Sequence, residues 1–206
     1  MKNYYIADLH FGHERVIAFD HRPFENTEEM ESELIRRWNS VVEPGDTVYI
    51  LGDFCWRIED DWLRILKKLK GNKVLIKGNH DLRRISDKLK KEFQDIREMK
   101  VVMDGKYSVA LCHYPIMFYP HDHYENTIML CGHVHNTAEN DYLMKWRDEL
   151  RQDRNQRAGN CGNIINVGCM MPYMNYTPRT IEELIAAVPL WRKEEYENSA
   201  AMDEGN

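Results

Sequence analysis

No stretch of the 206-residue chain approaches the roughly 18 consecutive apolar residues that a membrane-spanning helix needs. A helical membrane protein is thereby excluded, and no membrane partner is expected. The opening residues Met1-Lys2-Asn3-Tyr4-Tyr5-Ile6-Ala7-Asp8 lack the apolar core and small-residue cleavage site of a secretory signal. Cysteine is sparse: five residues, an odd number, with no Cys-x-x-Cys pair, which speaks against a disulfide framework. Cys112 and Cys131 sit inside apolar runs, where a free thiol behaves as a small hydrophobe. Together these features fit a reducing cytoplasm. Basic residues are outnumbered, 28 Lys and Arg against 34 Asp and Glu, for a formal net charge of −6. Such a balance argues against a broad nucleic-acid-binding surface, which is usually basic. Internal repeats and long low-complexity segments are also missing.

What is present is ordinary for a soluble globular protein, with 43% hydrophobic and 30% charged residues and enough length for one sizeable core. A single domain over 1–190 is expected, with a polar insertion at about 136–162 and an acidic, frayed tail at 191–206. Short apolar runs rich in β-branched and aromatic residues predict strands at Tyr4–Ala7, Thr47–Leu51, Lys73–Ile76, Lys100–Met103, Tyr107–Leu111, Ile128–Cys131 and Ile164–Val167. Asp104-Gly105 signals a hairpin between two of them.

Helical patterns fall between the strands. Asn26 with Glu29 has capping-box spacing, and Met30, Leu34, Trp38 and Val41 then recur on one face. Trp62, Leu66 and Leu69 predict a second helix stopped at Lys70-Gly71-Asn72. Further helices are expected at Arg83–Phe93 and Thr180–Val188. The alternation predicts an α/β fold with a mixed sheet. Trp38, Trp62 and the methionines at helical spacing are assigned to the core.

Chemistry clusters at the strand ends. The first strand runs into Asp8-Leu9-His10, the second into Gly52-Asp53 and the third into Gly78-Asn79-His80-Asp81. His113 follows the fifth, and Gly132-His133-Val134-His135 the sixth. In open α/β sheets the C-terminal edge of the strands is where ligand sites form. The glycines before these clusters let the backbone turn sharply or approach a metal or phosphate without a Cβ clash. The ligand set is imidazole plus oxygen without sulfur, which suits Mn, Fe, Co, Ni or Zn and disfavours a structural zinc site.

At these residues the chain resembles the calcineurin-like metallophosphoesterase superfamily, and in particular its small bacterial and phage members. Asp8-Leu9-His10, Gly52-Asp53, Gly78-Asn79-His80-Asp81, His113 and Gly132-His133-Val134-His135 reproduce the family pattern complete and in order. The resemblance spans roughly 1–168, including Arg22-Pro23-Phe24 and Asn166-Val167-Gly168. It implies a sandwich of mixed β-sheets flanked by α-helices, with a two-metal centre at the strand ends. One divalent ion would be held by Asp8, His10, Asp53 and His135, and the other by Asp53, Asn79, His113 and His133, with Asp53 bridging. In such centres the ions lie about 3.5–4 Å apart and a bridging water ionises near neutral pH, becoming the hydroxide that attacks phosphorus. His80 would protonate or hold the leaving-group oxygen, with Asp81 fixing its imidazole. Two divalent cations bring four positive charges and the two aspartates return two, so the pocket can be locally positive in an acidic protein.

The implied activity is hydrolysis of a phosphate ester, with a small phosphorylated substrate, a phosphodiester or nucleotide-like compound being favoured. The alternatives are a phosphomonoesterase, a nuclease, or a scaffold that binds metal without catalysis. A nucleic-acid substrate is admitted but not favoured. His13 suits either a phosphate contact or a hydrogen bond at a helix start. Arg22 is read as pairing with an acidic neighbour rather than clamping phosphate, and His121-Asp122-His123 as a solvated loop. Arg147, Arg151, Arg154 and Arg157 would share one helix face, read as solvated in preference to substrate-facing.

Overall fold

In the computed structural model, residues 1–152 and 161–190 are described. Among them, eight strands form two sheets of four. The first is wholly parallel and ordered β1 (Asn3–Ile6), β2 (Thr47–Leu51), β3 (Asn72–Ile76), β4 (Asp95–Arg97). The second runs β5 (Met99–Asp104), β6 (Tyr107–Cys112), β7 (Thr127–Cys131), β8 (Ile164–Asn166), with β5 antiparallel to β6 and the other pairs parallel. The expected α/β class is seen, with the parallel and mixed pairings divided between two sheets.

The apolar runs of β3, β7 and β8 are nearly continuous because these strands are buried on both faces, whereas β5 exposes Val101 and Met103. All five residues of β7 are buried. Ile128 and Leu130 join the main core with Ile6, Ile50 and Leu75 of the first sheet. Their alternates Met129 and Cys131 turn the other way and pack in a second cluster with Leu143. The period-two alternation of a strand thus places one sheet in two layers of core. All five cysteines are buried free thiols.

Among the described residues six helices connect or follow the strands: α1 (Glu14–Phe19), α2 (Thr27–Val41), α3 (Glu59–Leu66), α4 (Asp87–Lys90), α5 (Ala138–Gln152) and α6 (Ile181–Ala187). None is long and apolar enough to cross a membrane. α2 buries Met30, Leu34 and Trp38, the expected stripe. Asn26 accepts from the Glu29 N–H at 2.9 Å, but the Glu29 carboxylate turns to the Glu25 N–H, so only half of the capping box forms. The full box is made instead at α6, between Thr180 and Glu183.

Three expectations shift. α3 ends at Leu66, before the predicted glycine stop, and Gly71 at φ +78° turns the chain into β3. The helix expected at Arg83–Phe93 shrinks to α4, because Ser86 caps a new start by accepting from the Leu89 N–H. The arginine stripe begins on α5, but Arg147 and Arg151 are half-buried rather than solvated. Arg151 donates to Pro189 O and Asn163 Oδ1, each at 3.3 Å. Arg154, Arg157 and the expected tail lie outside the described residues.

Candidate metal centre

The two sheets open onto one shared edge. The Ala7 N–H donates to Val167 O at 2.8 Å and the Cys169 N–H to Ala7 O at 2.9 Å, which ties the ends of β1 and β8 together beside Asp8. From that edge Asp8, His10, Asp53, His113 and His135 converge, all buried. His133 is half-buried, and Asn79 and His80 are exposed at the rim.

Two overlapping donor sets result. Asp8, His10 and His135 present ligand atoms within 4.8 Å of one another, and so do Asp8, Asp53 and His113. Asp53 Oδ2 stands between them, 3.5 Å from His10 Nε2 and 3.6 Å from His113 Nε2. His10 Nε2 and His135 Nε2 are 3.3 Å apart. Asn79 joins through its Oδ1, 2.9 Å from His113 Nε2. The His133 ring is not in either donor set; it lies 5.1 Å from the His113 ring, while its backbone N–H donates to the Asp8 carboxylate.

This chemistry fits divalent cations. The Nδ1–H of His113 donates to Leu51 O at 2.8 Å, which leaves Nε2 as a bare lone pair on a neutral ring. Burial lowers the pKa of this ring, so it does not carry a second proton at neutral pH. Its lone pair therefore faces the Asn79 carbonyl oxygen, acceptor against acceptor, an arrangement that a cation between them reconciles. Burial likewise holds His10 and His133 in the neutral form that metals bind.

The backbone is strained at the same points. Asp8, His10, Asp53, His133 and His135 all adopt positive φ, between 48° and 69°. Each such residue costs roughly 1–3 kcal/mol and persists only where its surroundings over-determine it. Gly52 and Gly78 lie back to back within this frame. A Cβ on Gly52 would stand 2.5 Å from His113 Nδ1, and one on Gly78 2.3 Å from Asp53 Oδ1.

Protons occupy the donor set when cations do not. Burial raises the Asp8 carboxyl to about 7, against the lowering effect of His135. For His135, burial opposes protonation, but the hydrogen bond to Asp20 and the charge of Asp8 outweigh it and its pKa rises. Both groups must shed protons to bind metal, so lower pH favours the proton and higher pH the cation. Metal affinity is therefore expected to fall as pH drops through about 7. Calorimetric titration of metal-free protein above and below that point checks this; equal affinities would contradict it.

One supporting residue escaped the sequence reading. Asp20, just after α1, accepts from His135 Nδ1–H at 2.7 Å and from Arg22 Nε and Nη2 at 2.9 and 2.8 Å. Arg22 is buried and also donates to Asp8 O and Leu9 O, the structural role expected of it. The chain Arg22–Asp20–His135 aims the His135 Nε2 at the centre. Losing such an outer carboxylate typically weakens metal binding 10–100-fold. Asp20→Asn is expected to lower cation affinity by roughly that factor without unfolding the protein. A competition titration against a chelator, with a melting curve alongside, measures both.

Asp81 departs from its expected role. Its carboxylate does not hold the His80 ring; it accepts from the backbone N–H groups of Asp53, Phe54 and Gly78 at 3.1, 2.8 and 2.8 Å. Asp81 thereby fixes two of the loops that carry the centre to each other. His121 and His123 are exposed on a turn, outside both donor sets. His13 makes no side-chain cap bond at the start of α1. Its ring stacks on Trp56, 4.0 Å between centroids at 7°.

Residues 1–182 match the profile of the calcineurin-like phosphoesterase superfamily domain. The chain belongs to this superfamily. As a calcineurin-like phosphoesterase domain it has relatives in an archaeon and a phage. It is 44% identical to the uncharacterised protein MJ1445 of Methanocaldococcus jannaschii over 82 residues, 39% of this chain and 47% of that protein. It is 36% identical to the gene 66 protein of Mycobacterium phage L5 over 81 residues, 38% of this chain and 39% of that protein. The chain spans less than half the length of either relative. Among solved structures, the phosphoesterase domain resembles protein AQ665 of Aquifex aeolicus, with a TM-score of 0.63 and 26% identity over 91% of this chain and 99% of that one. Family membership and the Asp/His donor sets together make this a metallophosphoesterase-type domain with groups that could hold a metal.

Proposed function

We propose that this chain is a two-metal phosphoesterase, with Asp8, His10, Asp53 and His135 holding one divalent cation and Asp53, Asn79, His113 and His133 the other. The observation that carries the reading is the position of Asp53 Oδ2, nearly equidistant from His10 Nε2 and His113 Nε2. A single carboxylate oxygen so placed is within reach of a cation beside either histidine. When bound, a pair of divalent cations supplies Lewis acidity and a water whose pKa falls toward about 7.

The chain's own groups do the rest. His10, His113 and His133 stay neutral and ligating, Asp20 aims His135, and Asp81 locks the Asp53 and Asn79 loops together. His80 stands exposed at the rim, its N–H donating to Asp53 Oδ1 at 2.9 Å. Its imidazole protonates the departing oxygen as the phosphorus–oxygen ester bond breaks and water's oxygen bonds to phosphorus. Exposure of Asn79 and His80 leaves the site open, which suits modest-sized phosphodiesters such as nucleotide-like compounds over a substrate that must be enclosed.

The test is to strip the protein of metal, restore Mn, Fe, Co, Ni or Zn singly, and assay diesters, monoesters and DNA. Metal-dependent hydrolysis with diesters leading is expected. Inactivity on every ester with every ion would overturn the proposal.

A further inference from the structure

The mouth of the centre carries a large ring that the metal reading leaves unused. Trp56 is 47% exposed, whereas Trp38 and Trp62 are buried to 1% and 0%. Its exposure is built, because the backbone beneath it is pinned. The Trp56 N–H donates to Phe11 O at 3.0 Å, Phe11 and Cys55 form a parallel bridge, and Cys55 O accepts from Trp62 Nε1 at 3.1 Å. Behind the indole lies His13, parallel and 4.0 Å away. Among the described residues His13 Nδ1 is buried without a hydrogen-bond partner, so stacking rather than a polar contact accounts for where that ring sits.

The indole also neighbours the reacting centre. Its centroid is 4.6 Å from the His80 ring and 6.4 Å from the His10 ring. Another exposed ring, Tyr114, lies on a different side, 4.6 Å from His133. A diester at the centre has one arm that departs and one that stays. The arm beside His80 departs, because that imidazole serves its oxygen. Trp56 flanks the same arm.

We propose that Trp56, backed by His13, is a stacking wall for the leaving-group arm, and that the preferred substrate is a phosphodiester whose departing alcohol carries a planar heteroaromatic ring, as a nucleoside does. The proposal rests on the phosphoesterase reading and adds the substrate class and its orientation. Stacking of a base on an aromatic side chain is sequence-tolerant, so the wall selects for a ring and not for one base.

Methyl 5′-adenosyl phosphate tests it, with methyl 5-ribosyl phosphate as the partner lacking a base. Either ester bond of the adenosyl diester can break, and both release a primary alcohol of similar intrinsic reactivity. Metal-saturated protein is expected to release chiefly adenosine and methyl phosphate, not methanol and adenosine 5′-phosphate. Trp56→Leu should lower kcat/KM for the adenosyl diester roughly tenfold more than for the ribosyl diester, and should level the product ratio. A readout free of catalysis accompanies it: adenosine alone should quench tryptophan emission of the wild type saturably, and Trp56→Leu should abolish that quench. Predominant release of methanol, equal losses on the two diesters, or a quench that survives in Trp56→Leu would each overturn the wall while leaving the phosphoesterase reading intact. Absence of turnover on both diesters would overturn the wall, while the phosphoesterase reading falls only if every ester with every ion is inert.

Discussion

Asp53→Asn is expected to release both cations and to cut hydrolysis by roughly 10³-fold or more, since a metal pair contributes several kcal/mol to the transition state and each 1.36 kcal/mol is tenfold in rate. The amide keeps the shape of the side chain and can still accept the His80 N–H through Oδ1. What it loses is the charged Oδ2 shared by the two histidines at 3.5 and 3.6 Å. An amide NH₂ there offers a donor where both cations need a lone pair. The fold should survive, because burial already raises the Asp53 carboxyl pKa and a neutral group suits the metal-free site. Metal content, turnover and melting temperature of the metal-free variant together check this. Loss of one ion with full retention of the other would show that Asp53 is a terminal ligand and not a bridge.

His80→Ala has the second largest expected effect. The ring is exposed and makes ring contacts with Trp56 and His10, while the bond to Asp53 comes from its backbone and is untouched by the substitution. Both ions should therefore remain. Turnover of alkyl esters, whose leaving oxygen needs a proton, should fall roughly 10²–10⁴-fold. A p-nitrophenyl ester departs as a stable phenolate and should lose far less. Equal losses on the two esters, with metal content unchanged, would remove the leaving-group role from His80.

The strand ends were legible in the sequence because each carries a short polar motif directly after an apolar run, set off by glycine at Gly52, Gly78 and Gly132. Asp8, His10, Asp53, Asn79, His113, His133 and His135 all fall at the edge the two sheets share for that reason. What the chain hid was the support. Asp20 sits between a six-residue helix and Arg22, far from any strand end, and only the fold brings it to His135. Asp81 reads as a partner of its neighbour His80, yet its carboxylate takes the backbone N–H groups of Gly78 on its own loop and of Asp53 and Phe54 on another instead of the ring. β4 was invisible because Asp95-Ile96-Arg97 is a three-residue polar edge strand with no apolar pattern. The half-burial of Arg151 follows from its bonds to Asn163 and Pro189, contacts remote in sequence that helical spacing cannot announce.

The central claim is that one aspartate serves two cations, and metal stoichiometry tests it most directly. Wild-type protein saturated with Mn, freed of excess and analysed for metal per chain should carry two ions. At most one ion per chain under saturating conditions would contradict the account.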